Sequence, residues 1–414
     1  MQILSKRSIR VVMGLALLTF VALIVASTVS AARSATTVTI WVDADRKAAV
    51  DKVAGAWGAS RGVTVNVVQK QFGDIRTDLS KVQADTAPDV IVGAHDWTGE
   101  LAANGLLLPL SPRKALRDKF PAYSLDAFSY GTAVKRLYGA PVAIENIGLV
   151  TNTKLAKVPT SFANLQQQAL KFKAKKKGNL AIAVQQGANG DAYHMYPFFS
   201  GLCGYIFGKN KAGNLDPSDI GVANPTFLKN AKSIDTWNKL GLINAKVDDA
   251  AARTAFLKGQ AAFWITGPWN IDTIKKAGIK FQVSQVPANN CKSVPFLGVQ
   301  GFMVTKFAAQ HGVETAAKDL VANYMMGANS QAALAAANGR YPANTDAGLA
   351  VTNATLKQFG AASTGGVPMP NIPQMASVWS DLAGAWVKST KGSGATPARV
   401  SFSVAARNIA NKIG

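Results

Sequence analysis

The first apolar run of the chain, residues 11–25, lies between a basic start (Lys6, Arg7, Arg10) and the small residues Val29-Ser30-Ala31-Ala32. That order predicts an exported chain whose residues 1–31 are a signal peptide cleaved after Ala31 or Ala32. A retained anchor is the weaker reading, because the run is slightly short for a bilayer span. From Val38 onward the pattern changes. β-Branched runs at 38–42, 63–68 and 88–92 alternate with helical patterns, the first over 46–57. Strand–helix alternation with short connections predicts a mostly parallel sheet covered on both faces. Beyond Ala143 the helices lengthen, at 162–176, 193–202, 225–240 and 250–256, with strands at 180–184, 261–265 and 281–286. A strand at 299–305 and helices at 313–326 and 330–337 follow. No internal repeat and no low-complexity linker interrupts them.

Once residues 1–31 are removed, the chain still exceeds what one hydrophobic core organises, so two lobes are expected. The chain is strongly basic, with 45 Lys and Arg against 23 Asp and Glu and a formal net charge of +22. Nucleic acid is nevertheless excluded as a partner, because the chain is exported, its lysines are scattered and no motif interleaves aromatic and basic residues. The one dense run, 171–177, reads as a solvated helix end suited to the helix dipole. For the overall charge, attraction to an anionic envelope and an acidic habitat both stand. Cys203 and Cys291 fit no metal-site spacing; in an oxidising compartment they pair if the fold brings them together. His95, His194 and His311 lack metal-ligand spacing, HExxH is absent, and no Ser/His/Asp or Cys/His arrangement appears. No metal, cofactor or catalytic residue is therefore expected.

Carboxylates and aromatic residues recur just past the ends of the expected strands. Asp43 and Asp45 follow the first, His95-Asp96 the third, and Glu145 follows Pro141-Val142-Ala143-Ile144. Asp191 and Tyr193 open a helix, Trp269 sits in Gly267-Pro268-Trp269, and the proline-ordered segment 368–378 delivers Trp379 to the start of another helix. In open α/β sheets ligands bind outside the carboxyl ends of strands, so these side chains can converge on one crevice. Each also has a structural explanation: Asp45, Asp96 and Asp191 suit helix N-caps, and Trp269 and Trp379 suit a core. Taken together, carboxylates and flat rings match a sugar. Hydroxyls donate charge-assisted hydrogen bonds to carboxylates, and the C–H face of a pyranose lies on an indole or phenol ring.

With these residues in hand, the mature chain resembles the maltose/maltodextrin-binding protein family, the substrate-binding components of ABC sugar importers. The resemblance is carried by Ile40-Trp41-Val42-Asp43-Ala44-Asp45-Arg46, residues 88–96, Gly105-Leu106-Leu107, residues 141–145, Asp191-Ala192-Tyr193, Gly267-Pro268-Trp269 and residues 368–379. It implies a type II periplasmic-binding-protein fold, two α/β lobes around an interlobe cleft. Residues 36–143 plus 299–345 would form the first lobe and 147–296 plus 347–414 the second, with chain crossings near 143–146, 297–300 and 344. It implies that Asp45, Arg46, Asp96, Glu145 and Asp191 hydrogen-bond sugar hydroxyls and that Tyr193, Trp269 and Trp379 stack on the sugar, with Asp43 and Trp97 as further candidates. The expected partners are a maltose- or maltodextrin-type oligosaccharide and membrane permease subunits. The chain itself is expected as a monomer in the periplasm or on the outer face of the cell membrane. Four positions depart from the family pattern. Gly93 stands where an aromatic ring is common, Trp97 where a basic residue is common, Ile271 replaces a second aromatic residue, and Ala383 replaces an arginine. Trehalose, a cyclodextrin or another oligosaccharide is the alternative ligand. An exported glycoside hydrolase is the alternative class, and it would need a carboxylate pair about 5–9.5 Å apart across one bond.

Overall fold

The computed structural model describes residues 36–131 and 134–414, so the signal peptide expected over 1–31 lies outside the described residues. The strands that organise it are β1 (Thr37–Val42), β2 (Thr64–Gln69), β3 (Val90–Ala94), β4 (Gly139–Glu145), β5 (Gly148–Asn152), β6 (Phe263–Thr266), β7 (Phe281–Ser284), β8 (Phe296–Val304), β9 (Tyr341–Pro342) and β10 (Val367–Pro368). Apart from Trp41, β1 is wholly β-branched, which suits a strand packed between neighbours. It pairs in parallel with β2 and β3, the unit that the strand–helix alternation predicts. The rest of the sheet is mixed, ordered β9-β4-β8-β3-β1-β2, with β8 antiparallel to both β3 and β4. The reason is topological: the chain leaves this sheet along β4 and returns along β8, so the returning strand runs the opposite way. A second, smaller sheet, β6-β5-β7, is antiparallel throughout.

The chain passes between sheets at Asn146, where its side-chain amide donates to the carbonyls of Ile147 and Phe359 at 3.1 and 3.0 Å. It passes back within β8, whose first residues, Phe296 and Leu297, pair with β10 and whose remainder joins β4 from Gly298 onward. The β8–β4 register slips at Gln300/Gly301 opposite Pro141, which has no N–H to offer the ladder. Phe128 lies over the backbone nearby, so a Cβ on Gly139 or Gly301 would come within 2.2 or 2.5 Å of its ring.

Three helices carry site residues: α1 (Ala44–Arg61), α2 (Ala192–Gly201) and α3 (Trp379–Thr390). Asp43 caps α1 by accepting from the Arg46 amide, and Gly62 ends it in the left-handed region at φ 66°. The helix expected over 225–240 is two, Pro225–Asn230 and Lys232–Leu240, and the strand expected at 180–184 is only a pair of bridges, Leu180 to Ala261 and Ala183 to Trp264. A hairpin, Phe207–Lys209 with Leu215–Ile220, and a terminal helix, Ala398–Ile413, were not foreseen. Cys203 and Cys291 are joined, with Cα atoms 5.3 Å apart, tying the turn after α2 to the loop ahead of β8. One apolar cluster runs from Ile91 and Leu107 beside the large sheet, through Met369 and Met375, to Phe198, Phe296 and Trp386. The proline-ordered segment therefore packs against both halves of the molecule.

Candidate functional site

The carboxyl ends of β1, β3 and β4 and the N-termini of α2 and α3 open on one cleft of about 630 Å³. All ten residues singled out in the sequence border it: Asp43, Asp45, Arg46, Asp96, Trp97, Glu145, Asp191, Tyr193, Trp269 and Trp379. They sit there under different constraints.

The floor is a continuous chain in which two ion pairs are joined through Gln300. Arg46 forms an ion pair with Asp43, its Nε 2.5 Å from Oδ2, and its NH1 donates to Gln300 Oε1 at 2.6 Å. Gln300 Nε2 donates in turn to Glu145 Oε1 at 2.7 Å, and Arg340 Nε holds Glu145 Oε2 at 2.7 Å. All five side chains are buried. Burial alone would raise the Asp43 carboxyl, but Arg46 and Arg340 outweigh it and hold the acid below its usual range. Burial likewise works against the Arg340 cation, and Glu145 more than compensates.

The walls are less tightly paired. Asp96 is buried at the end of β3, and its Oδ2 accepts from Trp379 Nε1 at 3.0 Å. Desolvation raises its pKa to about 6, only partly opposed by Arg76 and by the indole. Asp191 caps α2, with Oδ1 accepting from the His194 amide at 2.8 Å and Oδ2 meeting His194 Nδ1 and Gln185 Nε2 at 2.9 and 2.7 Å. Burial pushes this acid up, but His194 and Gln185 hold it below the ordinary value. Tyr193 stacks near-parallel to Phe296, with centroids 6.2 Å apart, and its buried hydroxyl has no partner among the described residues. Burial, then Glu145 and Asp191, keep that phenol neutral well beyond its usual range. Asp45 is exposed at the mouth. Trp269 packs edge-on to His194 at 5.9 Å with the Arg340 guanidinium 5.7 Å from its ring. Trp379 opens α3 and meets Phe296 at 5.8 Å.

Two members of the floor, Gln300 and Arg340, escaped the sequence reading. Gln300 lay in an expected chain crossing without being assigned a function. Arg340 follows Gly339, which ends a helix at φ 68°, and nothing local marks a lone arginine there as the partner of Glu145. His194, Gln185, Phe72 and Arg76 also border the cleft unforeseen. His95 is fully buried: Nδ1 accepts from the Val299 amide at 3.1 Å, which leaves the Nε2 proton for the Met369 carbonyl at 3.0 Å. Burial lowers its pKa to about 4, so it remains neutral and staples β8 to the proline-ordered segment.

The four departures from the family pattern have local explanations. A Cβ on Gly93 would fall 2.0 Å from the Trp97 ring, so Trp97 fills the space that a side chain at 93 would take, 4.9 Å from Phe72. Gly267 gives the Trp269 ring the same room, also at 2.0 Å. Ile271 is core, 1% exposed. Ala383 packs directly on Gly190, whose Cβ would lie 2.5 Å from the Ala383 carbonyl, so α3 approaches too closely there for a long side chain.

Comparison with known proteins follows this geometry. The chain is 29% identical over 371 residues to the maltodextrin-binding protein MdxE of Bacillus subtilis, covering 83% of this chain and 82% of that one. It is 28% identical over 364 residues to a galactooligosaccharide-binding protein of the same organism, covering 82% and 81%. The structure of the Thermus thermophilus maltotriose binding protein bound with maltotriose superposes with a TM-score of 0.81 at 25% identity, over 91% of this chain and all of that one. The two-lobed α/β fold of the sequence expectation is thus the fold of this chain. The pattern of the bacterial extracellular solute-binding proteins matches residues 48–361, and the chain belongs to that family.

Proposed function

We propose that the protein captures a maltodextrin-type α-glucoside in the interlobe cleft and delivers it, chemically unchanged, to the permease subunits of an ABC importer. It would act as a monomer in the periplasm or on the outer face of the cell membrane. The observation that carries this reading is the convergence of carboxylates with the rings of Tyr193, Trp269 and Trp379 on one cleft of about 630 Å³. In this reading Asp45 and Asp96 accept from sugar hydroxyls, the Tyr193 hydroxyl finds its partner on the ligand, and Trp269 and Trp379 offer ring faces. Arg46, Glu145 and Asp191 have internal partners for their polar atoms, so they contribute through the lone pairs and protons left over and by fixing their neighbours. The lobes are 36–143 with 299–345, and 147–296 with 347–414. A bound sugar that bridges them favours closure only through contacts better made in the closed state.

Binding without hydrolysis is supported by the way the cleft acids are committed. Hydrolysis needs one acid of raised pKa opposite a second carboxylate free to act. Of the five cleft acids singled out in the sequence, Asp43, Glu145 and Asp191 are each held by an arginine or a histidine, which leaves only Asp96 and the exposed Asp45 outside such pairs. The similarity to a galactooligosaccharide-binding protein favours one second reading, another oligosaccharide in the same cleft.

The test is a thermal-shift panel of maltose, maltotriose, longer maltodextrins, trehalose, cyclodextrins and galactooligosaccharides, because a ligand that binds only the folded state raises its apparent stability. Maltotriose is expected to raise the melting temperature and to be recovered intact after incubation. A larger rise with galactooligosaccharides would reassign the ligand, and catalytic release of glucose or maltose would overturn the binding reading.

A further inference from the structure

The positive charge is unevenly placed. Between Glu145 and Asp191 there is no acidic residue, and that stretch carries Lys154, Lys157 and the lysines of 171–177. Between Asp249 and Glu314 the one acid is Asp272, which faces the cleft side beside Pro268 and Arg340. The fold brings these two stretches together. At the end of β5, the Asn152 amide donates to Ala262 and the Thr153 amide to Lys280, at 2.9 and 3.0 Å, while the Leu180 amide donates to Gln260 at 2.8 Å. Lys154, Lys258, Lys280 and the run Lys175-Lys176-Lys177 therefore gather at the end of the small sheet remote from the cleft. Lys275 and Lys276 join them at the close of the helix Ile271–Lys276.

Every one of these lysines is exposed, and none forms an ion pair with a carboxylate among the described residues. Six lysines elsewhere among the described residues do, including Lys47 with Asp51, Lys114 with Asp118, Lys318 with Glu314 and Lys412 with Asp381. The contrast is between a balanced surface and one unbalanced end.

We propose that this end of the second lobe docks on a bilayer bearing anionic headgroups. The residue types favour that partner. The patch consists of lysines, compact charges on flexible stems, and offers no arginine fork for bidentate phosphate recognition. It interleaves no exposed aromatic ring on which bases could stack. It is assembled from four separate chain segments at one end of a lobe, which suits a broad charged plane. Because it lies at the opposite end of the strands from the cleft, docking leaves the cleft open to ligand. The inference goes beyond the sugar-binding reading and does not depend on it.

The test uses the protein in its exported form and sedimentation with sucrose-loaded vesicles of phosphatidylcholine, alone or mixed with phosphatidylglycerol. Binding is expected only to the mixed vesicles and should be lost at high salt. Replacing Lys154, Lys157, Lys175, Lys176, Lys177 and Lys280 by Gln should weaken partitioning by at least about a hundredfold, since each lysine near an anionic surface contributes roughly fivefold and three of the six in contact with it already give that factor. The melting temperature should not move, because all six are exposed. A control replaces six exposed lysines elsewhere (Lys52, Lys81, Lys135, Lys209, Lys211 and Lys357) by Gln, which removes the same charge; it should retain most of the binding. An equal loss in both variants would overturn the proposal in favour of net charge alone. No binding to mixed vesicles, or retention only by a soluble anionic polymer, would overturn it outright.

Discussion

The floor and the walls of the cleft use the same residue type under opposite electrostatic regimes. Asp43 on the floor lies against Arg46 and is held below its usual pKa, whereas Asp96 on the wall has an indole N–H as its donor and is pushed to about 6. Both are buried. The difference shows that burial alone does not set the state of a carboxylate; it raises both acids, and the charge of the groups beside each decides whether that rise is overcome. A floor whose charges cancel pairwise serves to hold shape, and a wall acid short of donors still has capacity for a ligand hydroxyl. Substitutions on the floor should therefore register in stability and those on the walls in affinity.

The largest effect is expected at Arg340. Arg340→Ala leaves Glu145 buried with Gln300 as its remaining partner, and removing one member of a buried pair costs about 3–5 kcal/mol. Urea denaturation should show that loss. The pair substitution Glu145→Gln with Arg340→Gln should recover much of it, because no lone charge remains. If Arg340→Ala melts like wild type but loses sugar, the floor is part of the binding surface and the division fails.

Next is Asp96 and pH. Its folded pKa of about 6 exceeds the ordinary 3.8, so ionising it costs the folded state. The sign follows: that cost is absent below the unfolded pKa, grows between about 4 and 6, and is complete above. A shift of this size corresponds to roughly 3 kcal/mol. Asp96→Asn, which can still accept from Trp379, should be more stable than wild type at pH 7, and the gap should close as pH falls toward 4. Sugar affinity should move the other way, weakening about tenfold in wild type as Asp96 protonates, because a charged acceptor is worth more than a neutral one. A parallel pH profile of affinity in Asp96→Asn would show that Asp96 does not touch the sugar.

Of intermediate size are the rings. Trp379→Phe removes the donor to Asp96 but keeps an apolar face, whereas Trp269→Ala removes a face outright. Calorimetric affinity for the best sugar should fall by about 1–3 kcal/mol for Trp269→Ala, comparable to losing a well-buried apolar contact, and by less for Trp379→Phe. If melting collapses while the folded fraction binds normally, these rings are core and not ligand faces.

The sequence was most legible where chemistry is local. Asp191 caps a helix and Trp379 opens one because capping geometry and proline-restricted backbone are set within a few residues. The parallel unit of β1, β2 and β3 was readable from β-branched runs. What could not be read depends on contacts distant in sequence. The antiparallel entry of β8, the Arg46–Gln300 bond spanning 254 residues and the Arg340–Glu145 pair spanning 195 leave no periodicity behind. Trp97 is intermediate: its exchange with Gly93 was visible as a departure from the family pattern, but the shared space that explains it appears only in three dimensions.

The smallest effect tests where the proline-ordered segment belongs. The proposed lobe division assigns it to the second lobe by sequence position, but Asn371 Nδ2 lies within 3.0–3.1 Å of the carbonyls of Asp126, Ala127 and Ser129, which that division gives to the first. Gly99 has no room for a Cβ because the Asn371 carbonyl lies 2.2 Å from where it would sit. The segment thus reaches Asp96 through Trp379 while clamped by Asn371 to residues 126–129, which in the proposed division makes it a strap between the lobes. An amide donating to carbonyls contributes about 1 kcal/mol net. Asn371→Ala should lower stability by about that much and should weaken sugar binding by severalfold, as Trp379 loses a fixed approach to Asp96. Asn371→Asp, which places a carboxylate against three carbonyl oxygens, should cost more on both counts. Hydrogen exchange of residues 368–378 is the decisive readout. Faster exchange confined to this segment supports a strap held by Asn371, and unchanged exchange would mean that the prolines and the buried Met369 and Met375 hold it without help.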